Sequence, residues 1–564
     1  AAGFRVGIVA QPRWQTTADV ARLGRPRLYA GVSAGALDSL LAHYTVFRKR
    51  RGEDAYTPGG RSGARPNRAT LVYAGLVRQA FPGLPLVLGG IEASLRRAAH
   101  YDFWSNRLRR PLLLDAKADL VACGMGERIA LELARRLAEQ DAGRDRSGPG
   151  GPDGRRRQES GGRPPPAWVG VAGTAFVGDE GDIPPGAPLL RLPSYEQLLA
   201  DPRLLLPATL TLEEQVQRGD CWAIQQVGAR AVLFAPPAAV LSGEEMDTLY
   251  NLPFSRAAHP DYTEAVPALE MIRWSITAHR GCAGGCSFCA LALHQGRRIA
   301  SRSAASLLAE AERLTRLAGF SGSISDVGGP SANMWQTRCL GDPARCARRS
   351  CLFPDSCRQL RPAQAEYLRL LQAISALPGI AHVRIASGLR HDLALQEPDA
   401  ARRLVEQFVG GQLKLAPEHC APAVLAAMRK PPFAAFERFC ALFAAASQQA
   451  RREQYVVPYL ISAFPGCTEQ QMHELRGWLD RRGWAPQQVQ CFVPTPGTVA
   501  TAMFVAGTDA AGRPIHVARS DAERLRQHRI LAGEPRGRPH PHPQPRPHGA
   551  GPAAARRGRS GRRS

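Results

Sequence analysis

The sequence predicts an α/β protein in which an open parallel-sheet domain precedes a partial barrel of six β/α units. Two observations support this prediction. Strand-like and helix-like segments alternate along both parts of the 564-residue chain, as expected when parallel strands are joined by crossover helices. The hydrophobic content of 44% is also enough to bury the cores of more than one domain.

Residues 1–140 are predicted to form the open α/β domain, which we expect to be truncated at its start. Alternating strand-like and helix-like runs favour a parallel sheet with helices on both faces. The strand-like runs are residues 5–10, 28–32, 84–88 and 120–123, and the helix-like runs are residues 69–81 and 127–139. The turn Gly124-Met125-Gly126 could approach a phosphate, although a short Gly-x-Gly more often marks only a strand-to-helix turn.

Two segments without a clear fold separate this domain from the barrel. Residues 141–166 are rich in Gly, Pro and Arg, and such a composition predicts a disordered linker because it cannot build a core. Residues 167–262 have a mixed pattern, and we interpret them as a segment that bridges the two domains.

Residues 263–500 are predicted to form the barrel, because six strand-like runs each end in a turn and amphipathic stretches lie between them. In parallel β/α barrels the loops after the strands build the active site, so these turns are expected to face one mouth. The runs are residues 273–278, 323–327, 383–386, 412–416, 455–463 and 489–493. The turns are a cysteine loop at 281–290, Gly328-Gly329, Ser387-Gly388, Pro417-Glu418-His419, Pro465-Gly466 and residues 494–498.

The chain is predicted to end in an extension at residues 501–532 and a disordered Arg/Pro/His tail at residues 533–564. The tail carries eight Arg and one Glu, within a formal net charge of +24 for the chain. Such a tail can bind nucleic-acid phosphates nonspecifically, although a solvated tail without a ligand is the simpler interpretation.

Localisation follows from signals that the sequence lacks. No apolar run reaches membrane-spanning length, and the N-terminus does not have the layout of a secretory signal. We therefore expect a cytoplasmic protein without membrane contact. The thirteen cysteines are then better explained as metal ligands and buried thiols than as disulfides.

The most specific motif is a C-x3-C-x2-C loop formed by Cys282, Cys286 and Cys289. Three thiolates on one short loop can bind three irons of a cubane 4Fe-4S cluster and leave the fourth iron open. We therefore predict that these three residues are metal ligands. The alternative is a structural zinc site with His279 or His294 as the fourth ligand, but zinc sites usually pair their cysteines as C-x2-C.

A second cysteine group, C-x6-C-x4-C-x5-C, follows the second predicted barrel strand. Its members are Cys339, Cys346, Cys351 and Cys357. Four thiols on so short a segment could hold a zinc ion or an auxiliary iron-sulfur cluster, or they could remain free. The sequence leaves these three possibilities open.

Several segments, in order along the chain, resemble one known family. They are residues 3–8, 88–97, 99–102, 279–282, 301–303, 325–330, 386–388 and 416–419. The cysteine loop resembles that of the radical SAM superfamily, and the chain to about Leu531 resembles the YgiQ-type radical SAM proteins. The N-terminal domain correspondingly resembles flavodoxin-like and cobalamin-binding-like domains, although no Asp-x-His-x-x-Gly motif for cobalamin is present.

The resemblance implies a 4Fe-4S cluster on Cys282, Cys286 and Cys289, with S-adenosylmethionine (SAM) lying against Gly328 and Gly329. It also implies an electron donor such as flavodoxin or ferredoxin. Pro330 stands where many relatives have Glu, which weakens the expected contact with the SAM amine. The resemblance identifies no residue that acts on the substrate.

The function implied is reductive cleavage of SAM to a 5'-deoxyadenosyl radical that acts on an unidentified substrate. One alternative is an RNA methyl- or methylthio-transferase of the same superfamily, suggested by the two-domain layout and the basic charge. Another is a non-catalytic, metal-stabilised nucleic-acid-binding protein. The turns expected at one mouth favour catalysis, because a binding module has no need of them.

Overall fold

The computed structural model describes residues 2–146, 166–342, 345–486 and 488–532. This part of the chain is a mixed α/β structure whose central sheet contains parallel strands. None of its helices is long and apolar enough to cross a membrane. The predicted tail at 533–564 and most of the predicted linker, residues 147–165, lie outside the described residues.

In the described chain up to residue 272, seven strands form one sheet and two form a hairpin. They are β1 (Ala30–Ser33), β2 (Leu86–Gly89), β3 (His100–Asp102), β4 (Arg107–Arg109), β5 (Leu120–Ala122), β6 (Thr174–Gly178), β7 (Leu189–Arg191), β8 (Trp222–Val227) and β9 (Arg230–Phe234). The sheet order is β1-β2-β5-β6-β9-β8-β7. Strands β1, β2 and β5 are parallel, as predicted for the N-terminal domain.

The bridging role predicted for residues 167–262 is wrong, because this segment completes the N-terminal sheet. Strand β6 pairs antiparallel with β5, and β9 and β8 continue the sheet in antiparallel fashion. Leu120 of β5 packs in one buried cluster with Phe176, Trp222 and Leu233 from the later strands. Burial of this shared apolar face holds the two stretches together as one domain.

Two further boundaries differ from the predictions. Residues 5–10 form no strand, and the side chains of Val6 and Ile8 are 80% and 65% exposed, so no neighbouring strand covers them. The helix Glu127–Arg146 continues six residues beyond the predicted domain end at 140, into the segment predicted to be linker.

Helices cover both parts of the described chain. The α-helices before residue 273 are Ala18–Ala21, Ser39–His43, Ala69–Ala80, Gly90–Leu95, Leu112–Asp115, Glu127–Arg146, Tyr195–Ala200, Leu205–Arg218, Gly243–Tyr250 and Pro267–Ile272. Those after it are Ala290–Gln295, Ala304–Thr315, Gln364–Ser375, His391–Ala394, Pro398–Phe408, Pro422–Met428, Phe433–Gln449, Glu469–Arg481, Val499–Ala506 and Asp521–Ala532. Short 3₁₀ helices are Pro58–Gly60, Glu180–Asp182, Pro202–Leu204 and Ala332–Met334.

Each of the six strand-like runs predicted after residue 262 overlaps an observed strand, although the run at 383–386 does so only at Val383. The strands are β10 (Ser275–Thr277), β11 (His279–Arg280), β12 (Ala300–Ser301), β13 (Ser323–Ile324), β14 (Asp326–Gly328), β15 (Arg338–Cys339), β16 (Leu360–Arg361), β17 (His382–Val383), β18 (Gln412–Glu418), β19 (Tyr455–Ser462) and β20 (Gln488–Cys491). The second run is divided into β13 and β14.

The strands that match the six predicted runs pair in parallel and in chain order. Strand β10 pairs with β14, β13 pairs with β17, and β18, β19 and β20 pair successively. Within the described residues these ladders are separate, and β11–β12 and β15–β16 are antiparallel pairs. The amphipathic helices bury their apolar sides on the strands, where Leu371, Leu404 and Phe436 pack with Ile324 and Leu413.

Buried neutral histidines make the fold sensitive to acid. Burial lowers the pKa of His100 and His419 to about 4 and that of His391 to about 3, from an ordinary value of 6.5. The unfolded chain therefore binds more protons than the folded chain between these values, and the free energy of unfolding falls as the pH drops below 6.5. We expect the urea midpoint, followed by circular dichroism, to decrease steadily from pH 7 to pH 5. A His100→Gln variant should show a shallower decrease, and a wild-type midpoint independent of pH would contradict this account.

Candidate active site

The three cysteines of the C-x3-C-x2-C motif are close neighbours on the loop between β11 and the helix Ala290–Gln295. Burial, together with the nearby thiols of Cys286 and Cys282, raises the pKa of Cys289 to about 12. Because a coordinating thiol is deprotonated by the metal, buried thiols of this kind become thiolates when a metal binds. The structure therefore brings together the three predicted ligands.

The surrounding protein holds this loop from several sides. The Cys351 amide donates to the Ala283 carbonyl at 3.0 Å, and the Ser350 hydroxyl donates to the Gly284 carbonyl at 2.5 Å. Gly285 has a positive φ of 58°, and a Cβ there would lie 2.4 Å from the Arg349 carbonyl oxygen. Only glycine fits at this position, which explains one of the glycines in the motif.

A buried ion pair lies directly beside the thiols. The Arg390 guanidinium pairs with Asp392 at 2.5 Å, and its Nη1 donates to the Cys286 sulfur at 3.8 Å. Burial alone would raise the pKa of Asp392, but the Arg390 charge outweighs it and lowers this pKa to about 2. The pair therefore keeps a fixed positive charge next to sulfurs that become negative on metal binding.

A second buried pair lies nearby at the end of β18. Lys430 and Glu418 are 4% and 7% exposed, and the Lys430 Nζ lies 3.6 Å from Glu418 Oε1. Glu418 has a φ of +68°, which is rare for a residue with a side chain and often marks a functional position. Burial is the main cause that raises the pKa of Cys282, and the Lys430 charge partly counteracts it. Both ion pairs therefore lie close to the thiols of the cysteine loop.

The predicted SAM contact, Gly328-Gly329, is packed against the start of the cysteine loop. A Cβ on Gly329 would lie 2.7 Å from His279 Nε2, and a Cβ on Gly328 would lie 2.7 Å from Ser387 Oγ. His279 is fully buried, and within the described structure neither of its ring nitrogens has a hydrogen-bond partner. The glycine pair is therefore close to the cysteine loop. It also adjoins the buried imidazole of His279, whose ring nitrogens make no hydrogen bond within the described structure.

The zinc alternative gains no support from the described residues. Among them, no group of three or more His, Cys, Asp or Glu side chains could hold a single metal ion. His294, one candidate fourth ligand, has its Nδ1 3.1 Å from the Ser94 hydroxyl. Cubane ligands bind separate irons, so three cluster cysteines need not meet at one point.

The second cysteine group lies on the segment that is hydrogen-bonded to the cysteine loop of residues 281–290. Cys339 pairs with Leu360 in the β15–β16 hairpin, the Leu360 amide donates to the Cys357 carbonyl, and the Cys357 amide donates to the Cys351 carbonyl. These backbone bonds bring three of the four cysteines close together, and Cys351 and Cys357 pack in the same apolar cluster as Cys282. Metal binding by this group stays a prediction.

Metal analysis separates the remaining possibilities for the second group. If the four cysteines bind metal, a variant with Cys282, Cys286 and Cys289 all changed to alanine will retain zinc or an iron-sulfur signal. Adding Cys351→Ala and Cys357→Ala should then remove that metal, because two of its ligands are lost. We would measure iron, sulfide and zinc in protein reconstituted without oxygen. A folded triple variant with no metal would show that these are free thiols.

The side chains that flank the thiols were missed by sequence reasoning. Arg390, Asp392 and Lys430 are buried charges far from the cysteine motif in the chain, and no spacing pattern identifies them. The available signals were the strand-end turns, since Arg390 lies just after Ser387-Gly388 and Glu418 lies within Pro417-Glu418-His419.

Comparisons with known proteins assign the chain to a family. The family model "Radical SAM N-terminal" matches residues 1–275, a range that contains the whole seven-stranded sheet. A UPF0313 protein of Geobacter sulfurreducens is 47% identical over 535 residues, covering 94% of this chain and 84% of the relative. A UPF0313 protein of Thermotoga petrophila is 42% identical over 530 residues, covering 92% and 88%.

Among solved structures, the chain is similar to the radical S-adenosylmethionine methyltransferase TsrM from Kitasatospora setae, solved with cobalamin and a [4Fe-4S] cluster bound. The sequence identity is 15% and the TM-score is 0.45, with 91% of this chain and 76% of that chain covered. A TM-score of this size does not establish a common fold.

The matching family model defines a radical SAM enzyme, a class whose cofactors are a 4Fe-4S cluster and SAM. Within that class, this chain belongs to the UPF0313 family, which confirms the YgiQ-type resemblance of its sequence. The assignment as an enzyme sets aside the non-catalytic binding protein. Nothing in the relatives' names identifies the substrate.

Proposed function

We propose that this protein cleaves SAM reductively and uses the resulting radical on a substrate yet to be identified. The observation that carries the proposal is the group of three thiols on a rigid loop beside the buried Arg390 charge. When bound, the cluster and SAM supply the chemistry: one electron breaks a carbon-sulfur bond of SAM, releasing methionine and a 5'-deoxyadenosyl radical that abstracts hydrogen.

The residues present fit a cluster with one open iron. Cys282, Cys286 and Cys289 supply three thiolates, and no fourth cysteine lies on the same loop. The Arg390 and Lys430 side chains offset the negative charge that the thiolates bring into a buried site. Hydrogen bonds to cluster ligands also tune the reduction potential, which gives the contact of Arg390 with Cys286 a chemical role.

We further propose that strands β10, β13/β14, β17, β18, β19 and β20 form the six-stranded partial barrel. Their parallel pairing in chain order supports this arrangement. The cysteine loop, Gly328-Gly329 and the Arg390 turn follow successive strands, as active-site loops do in β/α barrels. Contacts through His279 and Arg390 link all three elements.

In this proposal the amino-acid end of SAM lies near Gly328-Gly329. This is the side of the loop where the ring nitrogens of His279 lack hydrogen-bond partners among the described residues. The imidazole is neutral, because burial lowers its pKa to about 4, and it can both donate and accept a hydrogen bond. A polar ligand group would satisfy it. The electron donor is expected to be a small redox protein such as flavodoxin or ferredoxin.

The experiment that tests the function is an anaerobic SAM-cleavage assay. Protein reconstituted with iron and sulfide should be brown, show a 4Fe-4S signal by electron paramagnetic resonance after reduction, and release 5'-deoxyadenosine from SAM. Transfer of a methyl or methylthio group to RNA would support the RNA-modifying alternative instead. Protein that binds zinc and takes up no iron would overturn the proposal.

A further inference from the structure

The N-terminal sheet faces the cysteine loop of residues 281–290 across a gap. A cavity of about 480 Å³ lies there, within the size range of small-molecule sites. Cys286 and Cys289 of the cysteine loop line it, and so do Cys123, Gly124 and Met125 of the N-terminal part. A molecule in this cavity would therefore lie next to the cluster ligands.

The N-terminal wall is the edge of the sheet at which α/β proteins bind ligands. In open parallel sheets, ligands bind beyond the carboxyl ends of the strands. Strand β5 ends here in the turn at residues 123–126, which leads into the helix Glu127–Arg146. Strand β2 ends nearby and continues through the helix Gly90–Leu95 to Arg97, which also lines the cavity.

Arg97 is a buried cation without an anion. Arg97 is only 9% exposed. Among the described residues, its guanidinium makes one hydrogen bond, from Nη1 to the Ser94 carbonyl at 3.1 Å. Within the described residues it forms no ion pair. The adjacent Arg96 is also buried, but it is paired with Asp38. An unpaired buried guanidinium is unfavourable, so Arg97 is suited to an anionic ligand.

One observation places the Arg97 charge at the turn of residues 123–126. Another shows that further positive charge lines the cavity. Burial raises the pKa of Cys123, and the Arg97 charge acts against this rise, so the guanidinium is close to the turn. Across the cavity, Arg297 has a buried Nε without a partner, and Arg298 forms no ion pair with any described residue.

The acidic residues on the cavity wall are already neutralised. Glu127 pairs with Arg280 at 2.6 Å, Glu213 pairs with both Arg429 and Arg349, and Asp220 pairs with Arg218 at 3.4 Å. These carboxylates are therefore not available to balance Arg97. The cavity thus presents uncompensated positive charge to whatever it binds.

We propose that this cavity binds the enzyme's substrate through an anionic group, a phosphate or a carboxylate, which pairs with Arg97 at the turn of residues 123–126. That the ligand is the substrate rests on the proposed function, whereas the anion site itself does not. The proposed SAM contacts Gly328 and Gly329 do not line this cavity, and neither does Arg390, which favours a ligand other than SAM.

The test is equilibrium binding to reconstituted protein, with inorganic pyrophosphate and citrate as the phosphate and carboxylate probes. Isothermal titration at low ionic strength should show one site for at least one probe, and the probe that binds identifies the anion class. Arg97→Gln should weaken binding at least tenfold and Arg97→Lys should weaken it less. The control is Arg203→Gln, because Arg203 is exposed and pairs with Asp201 at the surface.

A second measurement uses the wild-type protein alone. Cys123 lines the cavity, so a bound anion should slow its alkylation by N-ethylmaleimide at least threefold, as measured on the Cys123 peptide by mass spectrometry. Alkylation of Cys440, which is outside the cavity, should not change. This readout does not depend on how well an Arg97 variant folds.

The outcomes separate this inference from the proposed function. Normal SAM cleavage without binding of either probe, or with Arg97→Gln binding as wild type does, would overturn the anion site. A parallel loss of SAM affinity in Arg97→Gln would assign Arg97 to SAM and also overturn it. Arg97-dependent binding in a protein that cannot cleave SAM would support the anion site and refute only the proposed function.

Discussion

Changing any one of Cys282, Cys286 and Cys289 to alanine is expected to abolish release of 5'-deoxyadenosine from SAM. Each thiolate is proposed to hold a different iron, so loss of one opens a second corner of the cluster and exposes it to breakdown. Reconstituted variants should lose most of the iron and sulfide of the wild type, together with its brown colour. Anaerobic turnover and metal content would be measured on the same samples.

The matched control for these variants is Cys440→Ala. Cys440 is a buried cysteine on the helix Phe433–Gln449, in the core of the C-terminal part. This variant should keep its iron and its turnover, although it loses some stability through the smaller side chain. Wild-type turnover in any of the three loop variants would contradict the proposed ligand set.

Arg390→Met is expected to produce the second large effect, on both stability and the cluster. It leaves the buried Asp392 carboxylate without its partner, and breaking a buried pair in this way costs about 3 to 5 kcal/mol of unfolding free energy. It also removes the hydrogen bond to the Cys286 sulfur, so the cluster should become harder to reduce. Urea unfolding and a redox titration would measure the two effects separately.

A double variant distinguishes a structural role from tuning of the cluster. Arg390→Met combined with Asp392→Leu removes both charges and should recover much of the stability, while the reduction potential stays low. Arg402→Met is the control, because its exposed pair with Asp399 is worth less than about 1 kcal/mol. Recovery of the wild-type potential in the double variant would show that Arg390 does not act on the cluster.

The fold was predictable where short-range patterns decide it. The strand-like runs at residues 412–416 and 455–463 became β18 and β19. The first alternates polar and apolar residues and the second is mainly apolar, and both patterns, bounded by turns, favour strands. The run at residues 5–10 shows the limit of the same rule. Alternation favours a strand only if a neighbour is available, and Val6 and Ile8 have none that covers them.

Long-range pairing was not predictable from the sequence. Strand β6 joins β5 across a segment of low-complexity composition, and no local signal states that residues 174–178 return to the same sheet. The candidate site likewise combines features that local sequence predicts with features that it does not. Its cysteines follow from their spacing, whereas Arg390 reaches Cys286 only because the turn after β17 lies against the cysteine loop.

The antiparallel contact of β5 with β6 has a consequence for how the protein can be assembled. The two halves of the N-terminal sheet are joined covalently through residues 147–165 but also by the β5–β6 ladder and the shared core of Leu120, Ile129 and Phe176. A chain cut within 147–165 should therefore behave as a split protein. Co-expressed fragments are expected to copurify at equal stoichiometry, whereas Phe176→Asp in the second fragment should prevent their association.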